Sequence, residues 1–255
     1  MKKIIPFVLA LGFISFASSC DKTTPVDPIV TTKPVPGILD MNFKAMYANK
    51  PLVINRVYDY NGKKIMFEKL QFFIAYDVGS FDATVGTSLP KTTLLKFSGL
   101  QDDASAAAGI SFELPMASKT WTSTNFGIGI PKNLNATLPK DFSFPDGMAD
   151  SGNFWDSWQS YIFTKLEGKI DKDGDGIFET GITLHTGGDD VFTGMKFAKS
   201  FDIKDNTTTK LNFELSIEAL VKNIDLATVN STHQLGSSSI MKIMMGNFPT
   251  ALTIK

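Results

Sequence analysis

Apolar and polar residues alternate with a period of two along much of this chain, the spacing of half-buried strands. Leu39, Met41 and Phe43 share one face, and residues 52–60 form a second β-rich run. Tyr60-Asn61-Gly62-Lys63 predicts a tight hairpin turn, because Asn-Gly suits the two central positions. Residues 65–78 (IMFEKLQFFIAYDV) predict a strand with a kink or bulge, since their aromatic and β-branched weight outvotes a helix. Short strands are predicted at 93–97 and 110–114, divided by a polar, Ala-rich loop, and 126–130 (FGIGI) closes the first half. Residues 195–203 and 210–218 alternate again, with Leu211, Phe213, Leu215 and Ile217 on one face. Residues 219–225 predict a helical turn or two. Residues 239–248, with Ile240, Ile243, Met244 and Phe248 at helical spacing, predict a short C-terminal helix.

The stretch 131–194 concentrates the unusual residues: two of the three Trp, one of the two His and the densest acidic cluster. Residues 158–169 predict a strand, 171–176 an acid-and-glycine turn, and 177–185 the returning strand. In the return, Ile182 and Leu184 alternate with Thr183 and His185, so the imidazole is directed away from the apolar face. Many short strands with turn signals between them indicate an all-β fold, an antiparallel β-sandwich with short helices, including the C-terminal one. An open barrel satisfies the same pattern.

The N-terminus changes the setting. MKKIIPFVLALGFISFASSC has a charged start at Lys2 and Lys3, an apolar run over 4–16 and small residues at Ala17, Ser18 and Ser19. Cys20 stands where a bacterial lipoprotein carries its acylated cysteine, so residues 1–20 read as a lipoprotein signal peptide. An ordinary signal peptide would leave the same cysteine. Residues 21–37, with Pro25, Pro28, Pro34 and Pro36, read as a semi-stiff tether, and 38–255 as the exported domain. The expected location is the cell envelope, lipid-anchored at the outer membrane on its periplasmic or surface face.

Composition narrows the chemistry. Once Cys20 is acylated no thiol is left for disulfides, zinc–cysteine sites or a cysteine nucleophile. A formal net charge of −1 and a single arginine, Arg56, argue against nucleic acid. There is no G-x-S-x-G, no H-E-x-x-H and no phosphate-binding glycine loop, so no enzyme is expected.

Two candidate metal sites are visible. Asp171, Asp173 and Asp175 alternate through D-x-D-G-D-G, with the Ile177 carbonyl and Glu179 beyond them; hard oxygens so spaced suit a structural Ca²⁺. A solvated turn uses the same residues. His185 ends its strand just before Thr186-Gly187-Gly188, with Trp155 and Trp158 close enough in sequence to approach it. His233 is the only other histidine. Met241, Met244 and Met245 offer soft thioethers for Cu(I), but the preferred expectation is that they pack one face of the terminal helix.

FGIGIPKNLNATLP at 126–139, Met148, FWDSWQSYIFTKLEG at 154–168 and ITLHTGG at 182–188 resemble the MbnP-like family of exported bacterial copper-binding proteins. The strand after the Asn-Gly turn is similar too, and the resemblance spans residues 39–248. It implies a β-sandwich that binds copper through histidine, with an oxidised tryptophan taking part in some members, beside copper and metallophore transport systems. Carried over residue by residue, it matches Trp155 and Trp158 to the family's segment tryptophans, Glu167-Gly168 to its Glu-Gly and His185 to its strand-end histidine. That points to His185, Trp155 and Trp158 as copper-site residues and to a copper or metallophore transport protein as partner. His233 is the candidate second histidine because no other is left in the chain. Ala136 stands where many relatives have His, Ser160 where they have Gly, and Thr186 where they have Leu. The alternative expectation is a calcium-stabilised module that has lost copper and engages a protein or glycan through its loops.

Overall fold

The computed structural model of the chain describes residues 35–82, 89–232 and 239–255. The signal peptide, Cys20 and nearly all of the tether lie outside these residues, as does His233. In chain order the strands are β1 (Gly37–Tyr47), β2 (Lys50–Pro51), β3 (Val57–Tyr60), β4 (Lys63–Tyr76) and β5 (Lys91–Lys96). Then come β6 (Ile110–Met116), β7 (Lys119–Trp121), β8 (Thr124–Ile128), β9 (Phe154–Trp155) and β10 (Ser160–Asp171). The last are β11 (Thr180–Gly187), β12 (Thr193–Phe197), β13 (Phe201–Ile203), β14 (Thr208–Ser216) and β15 (Leu252–Ile254).

Two sheets face each other as a β-sandwich, beside a third, two-stranded one of β7 and β13. One runs β15-β14-β1-β2, with β6 also on β1. The other runs β11-β10-β4-β8-β12, with β3 and β5 on β4 and β9 on β10. Pairing is mostly antiparallel, but β1 runs parallel to β14, with Phe43 opposite Phe213. That pair builds the centre of the core. Phe43 stacks on Phe213 at 4.7 Å and meets Phe72 and Phe126 of the facing sheet edge-on at 6.5 and 6.2 Å. Such edge-to-face contacts suit the aromatic quadrupole and interlock the two layers.

Beside five single-turn 3-10 helices, the described fold has four α-helices: α1 (Asp103–Ala108), α2 (Lys132–Asn135), α3 (Ile217–Leu220) and α4 (Ser239–Ala251). On α4, Met241, Met244, Met245 and Phe248 are all buried, so the methionines pack the helix onto the sandwich.

Several predicted spans shift for local reasons. The run 52–60 is interrupted: Asn55 takes φ 64°, leaving a turn before β3. The Ala-rich loop holds α1, capped reciprocally by Asp102 and Ser105. Residues 195–203 divide into β12 and β13. Ile217 is buried at the start of α3 rather than at the end of β14. Trp158 lies in the turn before β10, where Gln159 takes φ 48°, and not in the strand itself.

The expected bulge in β4 is present and decides which residues face outward. Lys69 lies opposite Glu167 but Phe67 lies opposite Gly168, so Glu68 is an extra residue on β4. Before it Ile65 and Phe67 point inward; after it Leu70, Phe72 and Ile74 do, and Lys69 and Gln71 are turned to the outer face. Strict alternation would have placed Phe67, Lys69 and Gln71 on one side. Gly168 makes the bulge feasible, since a Cβ there would lie 2.3 Å from the Met66 carbonyl oxygen. Replacing Gly168 with Ala should therefore cost about 1–3 kcal/mol in chemical denaturation, by overpacking against backbone. A stability equal to the parent's would contradict this role for the glycine.

Candidate metal centre

Strand β10 alternates between two environments. Thr164 and Leu166 face the interior, while Lys165 and Glu167 leave the outer face. The registers make a small grid there: His185, Lys165 and Gln71 lie in one row across β11, β10 and β4, and Thr183, Glu167 and Lys69 in the next. The first row is shielded from solvent, with His185 only 8%, Lys165 9% and Gln71 8% exposed. Residues 147–158 cover it. Gln71 Nε2 donates to Asn153 Oδ1 at 2.8 Å, and Lys165 Nζ to the Gly152 carbonyl at 2.5 Å. Asn153 Nδ2 reaches the Gly147 carbonyl, and Asp150 accepts from Gly152 N, so the cover is itself hydrogen-bonded.

His185 is held at its ring and at its backbone. Nε2 lies 2.9 Å from Glu167 Oε1, and Lys69 Nζ donates to Glu167 Oε2 at 2.8 Å. The His185 hydrogen bond first, and then Lys69, hold the Glu167 carboxyl down at about 2, against burial, which pushes it up. An ionised carboxylate can only accept, so Nε2 carries the proton and, in the neutral ring, Nδ1 carries the lone pair. At the backbone, Thr232 Oγ1 accepts from His185 N at 2.7 Å and donates to the His185 carbonyl. Residues 230–232 dock along β11 through Thr183 N to the Asn230 carbonyl and Thr232 N to the Thr183 carbonyl.

The two tryptophans complete the site. They stack at 4.9 Å with an interplanar angle of 11°, and Trp155 meets the His185 ring at 6.3 Å and 69°. A tight hairpin brings them there: β9 pairs Trp155 with Ser160. The structure thus brings together His185, Trp155 and Trp158.

The sequence matches the MbnP family model over residues 36–241. The chain belongs to the MbnP family. A solved structure, MbnP from Methylosinus trichosporium, aligns with a TM-score of 0.53 over 84% of this chain and 88% of that one, at 12% identity. That identity speaks for a shared fold. A search of curated proteins returned no match.

Two positions that depart from the family pattern have structural settings. Ala136 is exposed just after α2, while Asn135 beside it is buried. Asn135 Oδ1 accepts from Tyr161 N and Ser160 Oγ, and its Nδ2 donates to Asp189. Ser160 Oγ also accepts from Gly188 N at 2.9 Å, so its hydroxyl links α2 to the ends of β10 and β11.

The acidic turn lies at the far end of the same hairpin. Asp171, Asp173 and Glu179 place one carboxylate oxygen each within 4.8 Å of one another. Asp171 is buried and accepts from Gly174 N and Gly176 N at 2.7 and 3.0 Å. Asp175 stands outside this trio, its carboxylate accepting from Ile177 N at 2.7 Å. Glu179 accepts from Lys172 N at 3.0 Å.

Reading the sequence singled out neither Lys165, Lys69 and Thr232 nor the role of Glu167 toward His185. Alternation along β10 carries a signal for Lys165 and Glu167, which share the parity of an outward face. The bulge hides Lys69, and only tertiary docking reveals Thr232.

A depressed Glu167 pKa contributes stability above the carboxyl's unfolded value of 4.5 that is lost as pH falls through about 2. In metal-free protein, Glu167→Gln should remove about 2–3 kcal/mol of the stability change measured by denaturant titration across that window. An unaltered pH profile would contradict the pairing.

Proposed function

We propose that this domain binds copper as Cu(I) at His185 in the cell envelope and hands it to or from a copper or metallophore transport protein. One observation carries the reading: an ionised carboxylate fixes Nε2–H of a shielded histidine beside an indole pair. Carboxylate–histidine pairs of this kind orient metal-ligating imidazoles and raise their basicity. Membership of the MbnP family supports the same reading.

The donor set fits a soft, monovalent ion in part. His185 supplies one imidazole, and His233 follows Thr232 directly in sequence, one residue beyond the group that clamps the His185 backbone. Nitrogen donors suit copper, and bound copper would supply a redox-active centre beside Trp155. We expect any tryptophan oxidation at Trp155, whose ring meets that of His185 and stacks on Trp158. Acylation at Cys20 anchors the domain, with residues 21–37 as spacer. The activity is binding and handover rather than catalysis.

Copper-supplemented expression of the 38–255 domain should yield about one copper per chain, with His185→Ala removing it and His233→Ala weakening it. Intact mass, read on the same samples, reports any tryptophan oxidation. Unchanged copper content in His185→Ala would sink the assignment.

A second reading, a calcium-stabilised module that engages a protein or glycan partner, draws on the convergence of Asp171, Asp173 and Glu179 and on Ala136 in place of a family histidine. It predicts calcium without copper in the purified domain. It also predicts a thermal midpoint that falls with chelator in the parent but not in Asp173→Asn.

A further inference from the structure

We infer that Lys165 is a charge selector for the metal at His185, favouring a monovalent over a divalent ion. This rests on the copper reading above. Lys165 is the direct cross-strand partner of His185, so the two side chains leave the sheet next to each other on the outer face. Its ammonium is shielded from solvent and anchored on the Gly152 carbonyl, three residues before Trp155. The nearby carboxylates are already paired, Glu167 with His185 and Lys69 and Asp150 with Lys96. Among the described residues no carboxylate lies within ion-pair distance of Lys165. The site therefore keeps one positive charge in excess, in surroundings where water screens it little.

Coulomb repulsion is proportional to the incoming charge, so a divalent ion loses twice the free energy that a monovalent ion loses. Affinity depends exponentially on that energy. If neutralising Lys165 raises monovalent affinity by some factor, divalent affinity rises by about the square of it. A packing or hydrogen-bond effect of the substitution has no such dependence and changes both by a similar factor.

The experiment compares Ag⁺, a redox-inert monovalent ion, with Zn²⁺ by competition titration on the parent domain, Lys165→Met and Lys165→Arg. Lys165→Met should gain about 3-fold for Ag⁺ and about 10-fold for Zn²⁺, while Lys165→Arg keeps the parent's ratio. Near-UV circular dichroism checks the fold, and Lys165→Gln replaces Lys165→Met if the latter is misfolded. Equal factors for the two ions, or a loss of discrimination in Lys165→Arg, would overturn the inference alone. A parent domain that binds neither ion would overturn the copper reading and this inference with it.

Discussion

One strand has to serve two media. Residues 160–171 form the strand next to the edge of the larger sheet, paired on one side to the central β4 and on the other to the edge strand β11. Their inward side chains help fill the sandwich, and their outward ones carry Lys165 and Glu167. Alternation gives this division at no cost until β4 must do the same across the pairing. The bulge at Glu68, opposite a glycine that leaves room for it, lets β4 keep phenylalanine inside on both halves and still present Lys69 to Glu167. The His185–Glu167–Lys69 chain depends on that one-residue offset.

The site is preorganised in layers. The carboxylate sets the tautomer, the His185 hydrogen bond and then Lys69 keep the carboxylate charged, and Thr232 restrains the backbone of His185 at the sheet edge. Residues 147–158 then close over the row, with Asn153 and Gly152 accepting from Gln71 and Lys165. Covering this row raises the energetic weight of every charge in it, because a poorly hydrated pair or a poorly hydrated repulsion is weakly screened. The indole pair lies at the end of this cover, so the segment that shields the histidine also delivers its aromatic neighbours.

Local pattern was enough to read the strands that carry the site. Alternation in 39–43, 182–185 and 211–217 exposed their faces, and the Asn-Gly turn and the acid-rich turn marked both hairpins. Asn61 and Gly62 do take positive φ, as that turn requires. What pattern could not reveal was set in part by single backbone angles and caps, and in part by contacts distant in sequence. A single positive φ at Asn55 divides an otherwise strand-like run, and a capping box turns an alanine stretch into α1. The parallel pairing of β1 with β14 joins the two ends of the domain, information that no window of sequence contains. The same holds at the site: His185 and the tryptophans were found by residue type, whereas Lys165 and Thr232 matter because of what register and docking place beside the imidazole.

The central claim is that Glu167 fixes His185 with its proton on Nε2 and its lone pair on Nδ1. Long-range nitrogen–proton correlation spectra of the metal-free domain at neutral pH, with Glu167→Gln as comparison, test it most directly. The account predicts an Nε2–H tautomer in the parent and loss of that fixed state in the variant. An Nδ1–H tautomer in the parent would contradict it.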